Sequence, residues 1–150
     1  MRLEGTKEFD APREVVWSVI NDPSKMAKTM PGVESFEIAD DTHWSAKVKV
    51  PLGLVGLKMS IAFTKLEERP LQFAALNAKG QGVGALMNMT TSFTLSGEGE
   101  TTSMAWEADV KIAGPVGSMG QRVLQPIVNQ QVQHVLAALD EQVKQAQAAG

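Results

Sequence analysis

The sequence predicts an α+β domain in which a curved antiparallel sheet of about seven strands wraps around one long C-terminal helix. Apolar and polar residues alternate with a period of two over most of residues 33–112, as in antiparallel strands with one covered face. From about residue 118 to residue 146 the apolar residues recur with a helical period instead. A long amphipathic helix that follows such a sheet must bury its apolar stripe against the apolar face of the sheet.

The N-terminal part of the chain is predicted to form one strand and two short helices. Residues 2–10 read as the strand, and the following Ala11-Pro12 places a proline where the first turn of a helix accepts it. Asp22 is positioned to cap a second helix over residues 23–29. Pro31-Gly32 then marks a turn that leads into the sheet.

Six further strands complete the sheet and give the order β-α-α-β6-α within a single domain over residues 1–150. The predicted strands lie near residues 33–40, 44–50, 57–63, 71–79, 87–95 and 104–112. The turns between them are predicted at residues 40–41, 51–56, 68–70, 80–84 and 97–100.

The connections between strands predict where the loops gather. Successive antiparallel strands alternate in direction, so every second connection lies at the same end of the sheet. The turn at residues 30–33, the loops at 51–56 and 80–84, and the start of the long helix should therefore cluster at one end. These segments are rich in glycine and in aliphatic residues, which indicates a flexible, apolar mouth.

Composition removes several classes of chemistry. The chain has no cysteine, which excludes disulfides, thiolate metal sites and cysteine nucleophiles. Its two histidines, His43 and His134, are far apart in the sequence, which makes a compact histidine metal site or a Ser-His-Asp triad unexpected. The net charge is −3 with scattered basic residues and few aromatic ones, so nucleic acid is not an expected partner.

The sequence carries no sign of export or membrane insertion. Residues 1–5 lack the apolar core of a signal peptide, and no run approaches 18 apolar residues. We therefore expect a cytoplasmic protein, with peripheral contact at the inner face of the membrane as the alternative.

Several short motifs spread over nearly the whole chain resemble the carbon monoxide dehydrogenase G-subunit family, within the START-like, polyketide cyclase-like (SRPBCC) superfamily. An Asp-Pro pair followed by a Pro-Gly-Val-Glu turn is the most specific of these motifs. The matching pieces are Leu3-Glu4-Gly5, Phe9 with Ala11-Pro12, Val16-Trp17, Asn21-Asp22-Pro23, Met30-Pro31-Gly32-Val33-Glu34, Gly80-Gln81-Gly82 and Gly117-Ser118-Met119-Gly120-Gln121-Arg122.

The resemblance implies a helix-grip fold with a deep apolar cavity between sheet and helix. It also implies a non-catalytic accessory role beside a molybdenum-containing carbon monoxide dehydrogenase or related hydroxylase, with a respiratory quinone as ligand. Many relatives extend beyond the helix with a tail suited to membrane attachment, whereas this sequence ends at Ala148-Ala149-Gly150. Transient contact with a membrane surface is therefore expected rather than stable anchoring.

The unusual number of methionines indicates where a ligand would lie. Met59, Met87, Met89 and Met104 all fall on strand faces that we assign inward, and Met119 is placed at the start of the long helix. Unbranched thioethers suit flexible or irregular ligands, although each methionine could also simply fill the core. The residues assigned to the ligand cavity are Met30, Met59, Ile61, Phe63, Met87, Met89, Phe93, Met104, Trp106, Met119, Val123 and Ile127. Those assigned to its mouth or to a docking surface are Leu52, Leu54, Val55, Gly82 and Arg122.

Other motifs are assigned structural roles. The glycine-rich segment 80–84 leads into a strand rather than a helix, so a hairpin loop is favoured over a phosphate-binding loop. The backbone at 117–120 opens a helix and is either a plain helix start or a site for an anion or carbonyl oxygen. Glu107 and Asp109 lie on an outward strand face, so no general acid/base pair is expected.

Three functions follow from these observations. The first is a non-catalytic carrier that binds an apolar small molecule, such as a quinone or lipid, without a covalent cofactor. The second is an assembly or membrane-docking factor for a molybdenum hydroxylase that needs no ligand. The third is an enzyme of the cyclase or dehydratase type, which ranks last because the chain has no tyrosine and no acid on the apolar strand faces.

Overall fold

A computed structural model of the chain describes residues 1–52 and 55–149, with all side chains in those ranges except those of Leu52 and Val55. The order is that predicted: one strand, two short helices, six strands and a long helix. The elements are β1 (Arg2–Phe9), α1 (Arg13–Ile20), α2 (Pro23–Lys28), β2 (Val33–Ile38), β3 (His43–Leu52), β4 (Val55–Arg69), β5 (Phe73–Gly82), β6 (Ala85–Ser96), β7 (Thr102–Ala113) and α3 (Gln121–Ala149).

The seven strands form one antiparallel sheet in the order β1-β7-β6-β5-β4-β3-β2. Strands β2 to β7 follow one another as a meander, and β1 pairs with β7, so β1 and β2 are the two edges. Along β7, Met104, Trp106, Ala108 and Val110 are buried while the residues between them are exposed. The alternation in the sequence therefore identified the covered face, and the predicted α+β, helix-grip fold class is confirmed.

The two short helices cover one part of this face. Helix α1 buries Val16, Val19 and Ile20. The predicted cap of α2 is confirmed, since Asp22 Oδ1 accepts a hydrogen bond from the backbone N–H of Ser24 at 2.9 Å. At the end of α1, Lys65 Nζ donates to Asn21 Oδ1 at 2.9 Å and to the Asn21 carbonyl at 3.1 Å, which ties the helix to β4.

Two predicted boundaries were wrong. The long helix begins at Gln121 rather than near 118, because Gly120 adopts φ +89°, outside the helical region. Met119, predicted to start that helix, lies instead in a short 3-10 turn, Gly117–Met119. The predicted turn at 51–56 is largely paired strand, since Pro51 pairs with Gly56 and Leu52 with Val55 across β3 and β4.

The predicted clustering of loops at one end of the sheet is confirmed by backbone contacts. Lys49 N–H donates to the carbonyl of Gly32 at 2.9 Å, which joins the turn after α2 to the end of β3. Val116 N–H donates to the carbonyl of Gly84 at 2.8 Å, which joins the β5–β6 turn to the segment before α3. We call this end, formed by residues 30–33, 80–86 and 114–120 with the adjoining ends of β3 and β4, the loop end.

Candidate functional site: an apolar cavity

A cavity of about 230 Å³ lies between the concave face of the sheet and α3. Strands β3 to β7 form its floor, the end of α2 and the following turn form one wall, and α3 forms the roof. The roof consists of residues from the first half of the helix: Leu124, Ile127, Val128, Gln131, Val132, Val135 and Leu136. The backbone of α3 approaches α1, α2, β1 and the 3-10 turn most closely, which leaves it raised above the central strands.

Most residues that the sequence assigned to the cavity lie on its wall. They come from the turn after α2, from strands β4 and β6 and from the helix, so the fold brings together residues that are distant in sequence. Those that line the cavity are Met30, Met59, Ile61, Phe63, Met87, Met89, Phe93 and Ile127.

Four assigned residues lie elsewhere. Met104 and Trp106 share the inner face of β7 but are buried in solid core beyond the cavity. That part of the core also contains Leu139 and Val143, which are buried on the second half of α3. Met119 and Val123 are 43% and 45% exposed and do not reach the cavity, so their assignment to its wall was wrong. The roof begins at Leu124, one residue after Val123, because neighbouring residues point about 100° apart around a helix.

The residues assigned to the mouth have different positions. Gly82 is the last residue of β5 at the loop end, and a side chain there would lie 2.7 Å from the carbonyl oxygen of Lys58. Arg122 is exposed in the first turn of α3 and is not part of the cavity wall. Leu54 lies outside the described residues, and for Leu52 and Val55 only the backbone is described, as the ends of β3 and β4.

Flexible side chains cover the middle of the floor. Gly80 faces inward on β5, between Ile61 on β4 and Met87 on β6. A Cβ at Gly80 would lie 3.0 Å from Met59 Cε and 3.3 Å from Met87 Cε, so the ends of two methionines occupy the space above this glycine. Because thioether side chains change rotamer easily, this part of the floor can adapt to the shape of a ligand.

An aromatic pair makes a more rigid part of the floor. The rings of Trp44 on β3 and Phe63 on β4 stack with centroids 5.5 Å apart and an interplanar angle of 9°. Both residues are buried and both line the cavity. Their flat surface suits apolar or aromatic groups of a ligand.

Polar groups are few on this wall. The described lining residues include no charged side chain, and the polar ones are Thr29, Thr91 and Gln131. Thr29 Oγ1 donates to the carbonyl of Met26 at 2.6 Å, and Thr91 Oγ1 donates to the carbonyl of Glu107 at 2.7 Å. Gln131 was not predicted from the sequence, although a signal was present: it interrupts an apolar stripe at a position where a core residue is expected.

The titratable groups considered in the sequence lie outside the cavity. His43 is exposed at the β2–β3 hairpin, and His134 is exposed on α3. The backbone N–H and hydroxyl of Thr42, with His43, lower the pKa of Asp40 to about 2.

Across residues 1–52 and 55–149, no group of three histidine or acidic side chains is placed to hold a metal ion. None of the described helices combines the length and apolar character needed to cross a membrane.

Solved structures with this fold are numerous. A conserved protein from Geobacillus kaustophilus superimposes with a TM-score of 0.88 at 20% identity, over 97% of each chain. The ZhuI aromatase/cyclase from Streptomyces sp. R1128 gives 0.71 at 16% identity, over 96% of this chain and 93% of its own. A START superfamily protein from Mycobacterium smegmatis gives 0.71 at 17% identity, over 96% and 97%. At these identities the likeness establishes the fold alone.

The family is established by sequence. No significant relative is found among curated proteins. The family model for the carbon monoxide dehydrogenase G-subunit, CoxG, matches residues 5–144, which is almost the whole chain and covers all or most of every element from β1 to α3. With the START-like fold and its cavity in place, the chain belongs to the carbon monoxide dehydrogenase G-subunit (CoxG) family.

Proposed function

We propose that this protein is a non-catalytic accessory protein that holds an apolar small molecule, such as a respiratory quinone or a lipid, between its sheet and α3. The observation that carries the proposal is the cavity of about 230 Å³, whose described lining residues include no charged side chain. Such a site binds mainly by removing apolar surface from water, at roughly 25 cal/mol per Å².

The energetics of the empty cavity support an occupant. At about 24 cal/mol per Å³, an unfilled apolar volume of this size costs on the order of 5.5 kcal/mol. A domain of this size is stable by only about 5–15 kcal/mol in total. Binding a ligand would therefore recover a substantial share of the stability that the cavity removes.

The size of the cavity limits how a ligand would sit. Ligand sites usually enclose about 300–1,000 Å³, so this one holds a ring system or a short chain rather than a whole long molecule. A quinone with a long isoprenoid tail would either displace the side chains of Met59 and Met87 or leave part of its tail outside. The adaptable floor above Gly80 favours some enlargement on binding.

The chemistry of the wall supports a role without catalysis. General acid/base chemistry needs a titratable side chain within hydrogen-bond reach of the reacting atoms. None of the lining residues in the described part of the chain has one, since the polar members are two threonines and one glutamine. A cyclase or dehydratase reaction is accordingly the least supported of the three functions.

The partner is proposed from the family. Carbon monoxide dehydrogenase is named in the family description, and we propose a molybdenum-containing dehydrogenase or related hydroxylase as the protein that exchanges ligand with this one. Assembly or membrane docking is the second candidate function. It is favoured by the exposed aliphatic residues Val83, 92% exposed, and Leu86, 54% exposed, at the loop end.

Mass spectrometry of the protein purified from its native host under non-denaturing conditions tests the first proposal. We expect a bound quinone or lipid, and we expect it to be lost in Ala108→Phe, which fills the cavity from β7. Ala105→Phe, on the exposed face of the same strand, is the matched control and should retain the ligand. No bound molecule in any preparation, together with no binding of added quinone or lipid, would contradict the proposal.

A binding assay separates the two candidate functions. If the protein is only a docking factor, the wild type and Ala108→Phe should capture a molybdenum hydroxylase equally well in a pull-down. If the protein is instead a carrier that passes its ligand to the partner, Ala108→Phe should fail to support the ligand-dependent activity of that partner. Ala105→Phe should still support it.

A further inference from the structure

One residue of the cavity wall has a hydrogen-bonding capacity that the protein does not use. Gln131 lies on the inner stripe of α3, two helical turns beyond Leu124 and between Val128 and Val135. Its side-chain amide offers two N–H donors and a carbonyl acceptor. The hydrogen bonds found among the described side chains do not include this amide, although they do include Gln121 and Gln125 on the same helix.

The other polar groups of the wall are already engaged. The hydroxyl protons of Thr29 and Thr91 are donated to backbone carbonyls of the protein. Neither threonine can therefore donate to a ligand without giving up an internal hydrogen bond. Within the described lining, the half-buried Gln131 is the residue whose donors are not taken by another group of the protein and so can meet a polar group of a ligand.

The wall also indicates which polar group a ligand can carry. An ionised carboxylate or phosphate would lose its hydration in the cavity and meet no cation there, since the described lining holds no lysine, arginine or histidine. A neutral carbonyl or hydroxyl group loses less hydration and can be satisfied by one amide. The amide also serves both cases, because its N–H groups donate to a carbonyl and its oxygen accepts from a hydroxyl.

We infer that the cavity selects an apolar molecule bearing a neutral carbonyl or hydroxyl group, which hydrogen-bonds to the side-chain amide of Gln131, and discriminates against ionised lipids such as fatty acids. This inference rests on the proposed carrier function and adds the chemical class of its ligand. Gln131 is then the residue that determines specificity, while the apolar wall provides most of the affinity.

Three naphthalene derivatives of similar shape test the inference by isothermal titration calorimetry: the ketone 2-acetylnaphthalene, the hydrocarbon 2-ethylnaphthalene and the carboxylate 2-naphthoate. The wild-type protein should bind the ketone most tightly and the carboxylate at least tenfold more weakly. Gln131→Leu should lower the affinity for the ketone about fivefold, which corresponds to one neutral hydrogen bond, and leave the affinity for the hydrocarbon unchanged or higher.

Matched variants and a folding control complete the experiment. Gln130→Leu makes the same change at an exposed neighbour and should bind all three probes as the wild type does. Gln131→Met repeats the loss of the amide with a longer side chain, and thermal unfolding verifies that each variant is folded.

The outcomes separate this inference from the function on which it rests. If the hydrocarbon binds but Gln131→Leu and Gln131→Met retain the wild-type affinity for the ketone, the role of Gln131 is refuted and the carrier function stands. Tighter binding of 2-naphthoate than of the ketone would refute the proposed selectivity in the same way. If the wild-type protein binds none of the probes, the carrier function fails and the inference fails with it.

Discussion

Enlarging one small residue of the cavity wall gives a stability change whose sign reports whether the space beside that residue is filled or open. Ala108 is buried on the inner face of β7, between Thr91 on β6 and Leu3 on β1, and lines the cavity. In a close-packed core, a larger side chain at such a position would cost about 1–3 kcal/mol through strain. Where it projects into unfilled apolar volume, Ala108→Leu should stabilise the protein instead.

The size of the effect follows from the carbon atoms added. Leucine adds three carbons to alanine, and at about 0.8 kcal/mol for each buried CH₂ their burial contributes roughly 2.4 kcal/mol. Restricting the leucine side chain removes about 0.5–1 kcal/mol of this. The free energy of unfolding should therefore rise by about 1.5 kcal/mol, which corresponds to an increase in Tm of roughly 3–6 °C for a chain of this length.

The measurement is made by thermal and urea unfolding of protein stripped of bound ligand by denaturation and refolding. Ala105→Leu, on the exposed face of β7, is the matched control and should change stability by less than about 0.5 kcal/mol. A loss of 1 kcal/mol or more in Ala108→Leu, with Ala105→Leu unchanged, would refute the presence of unfilled volume beside this residue.

Three further changes test packing, hydrogen bonding and charge outside the cavity. A Cβ at Gly5 would lie 2.8 Å from Cζ2 of the buried Trp106, so Gly5→Ala should lower the free energy of unfolding by about 1–3 kcal/mol in urea titrations. Lys65→Met removes the hydrogen bonds to Asn21 at the end of α1 and should cost about 1–2 kcal/mol in the same assay. Hydrogen bonds hold the pKa of Asp40 at about 2, so its contribution to stability is present above its ordinary pKa and is lost as pH falls from about 4 toward 2. In Asp40→Asn the urea midpoint should therefore depend less on pH over this range than in the wild type.

Controls for these changes are available on exposed positions. Lys111→Met is the control for Lys65→Met: it removes an exposed lysine from the outer face of β7, where no hydrogen bond to a helix is described, and should leave the urea midpoint unchanged. A wild-type midpoint in Gly5→Ala would mean that the indole of Trp106 is free to move aside, contrary to its burial. If the urea midpoint changes with pH between pH 4 and pH 2 as steeply in Asp40→Asn as in the wild type, another carboxylate governs the acid sensitivity.

The sheet could be predicted from the sequence because alternation along a strand reports which face is covered. It does not report how far along the strand a cavity extends. Strand β7 has 12 residues and spans roughly 40 Å, whereas the roof from Leu124 to Leu136 spans only about 18 Å. Met104 and Trp106 were therefore placed on the correct face of the sheet but at the wrong position along it.

Helix α3 shows two further limits of sequence reasoning. Its start depends on the positive φ of Gly120, which the apolar period does not reveal. The helix was therefore predicted to begin too close to the N-terminus, with Met119 inside it. Gln131 was overlooked because a polar residue on an amphipathic helix is ordinarily read as exposed. Gln131 lines the cavity while remaining half-buried, so one polar residue in this roof is compatible with folding.

The anchoring of α3 at both of its ends explains why the cavity does not close. At one end α3 is fixed by Leu139 and Val143, which are buried in the core, and at the other by the 3-10 turn and the Val116–Gly84 hydrogen bond. Collapse of the roof onto the floor would require both ends to move, so the fold keeps the volume open at a cost of about 5.5 kcal/mol. A ligand present at 100 times its Kd adds about 2.7 kcal/mol to the stability of the folded state. Under the proposed carrier function, release of a tightly held ligand therefore destabilises the protein, and a partner that accepts the ligand should do so most readily where it also supports the raised helix.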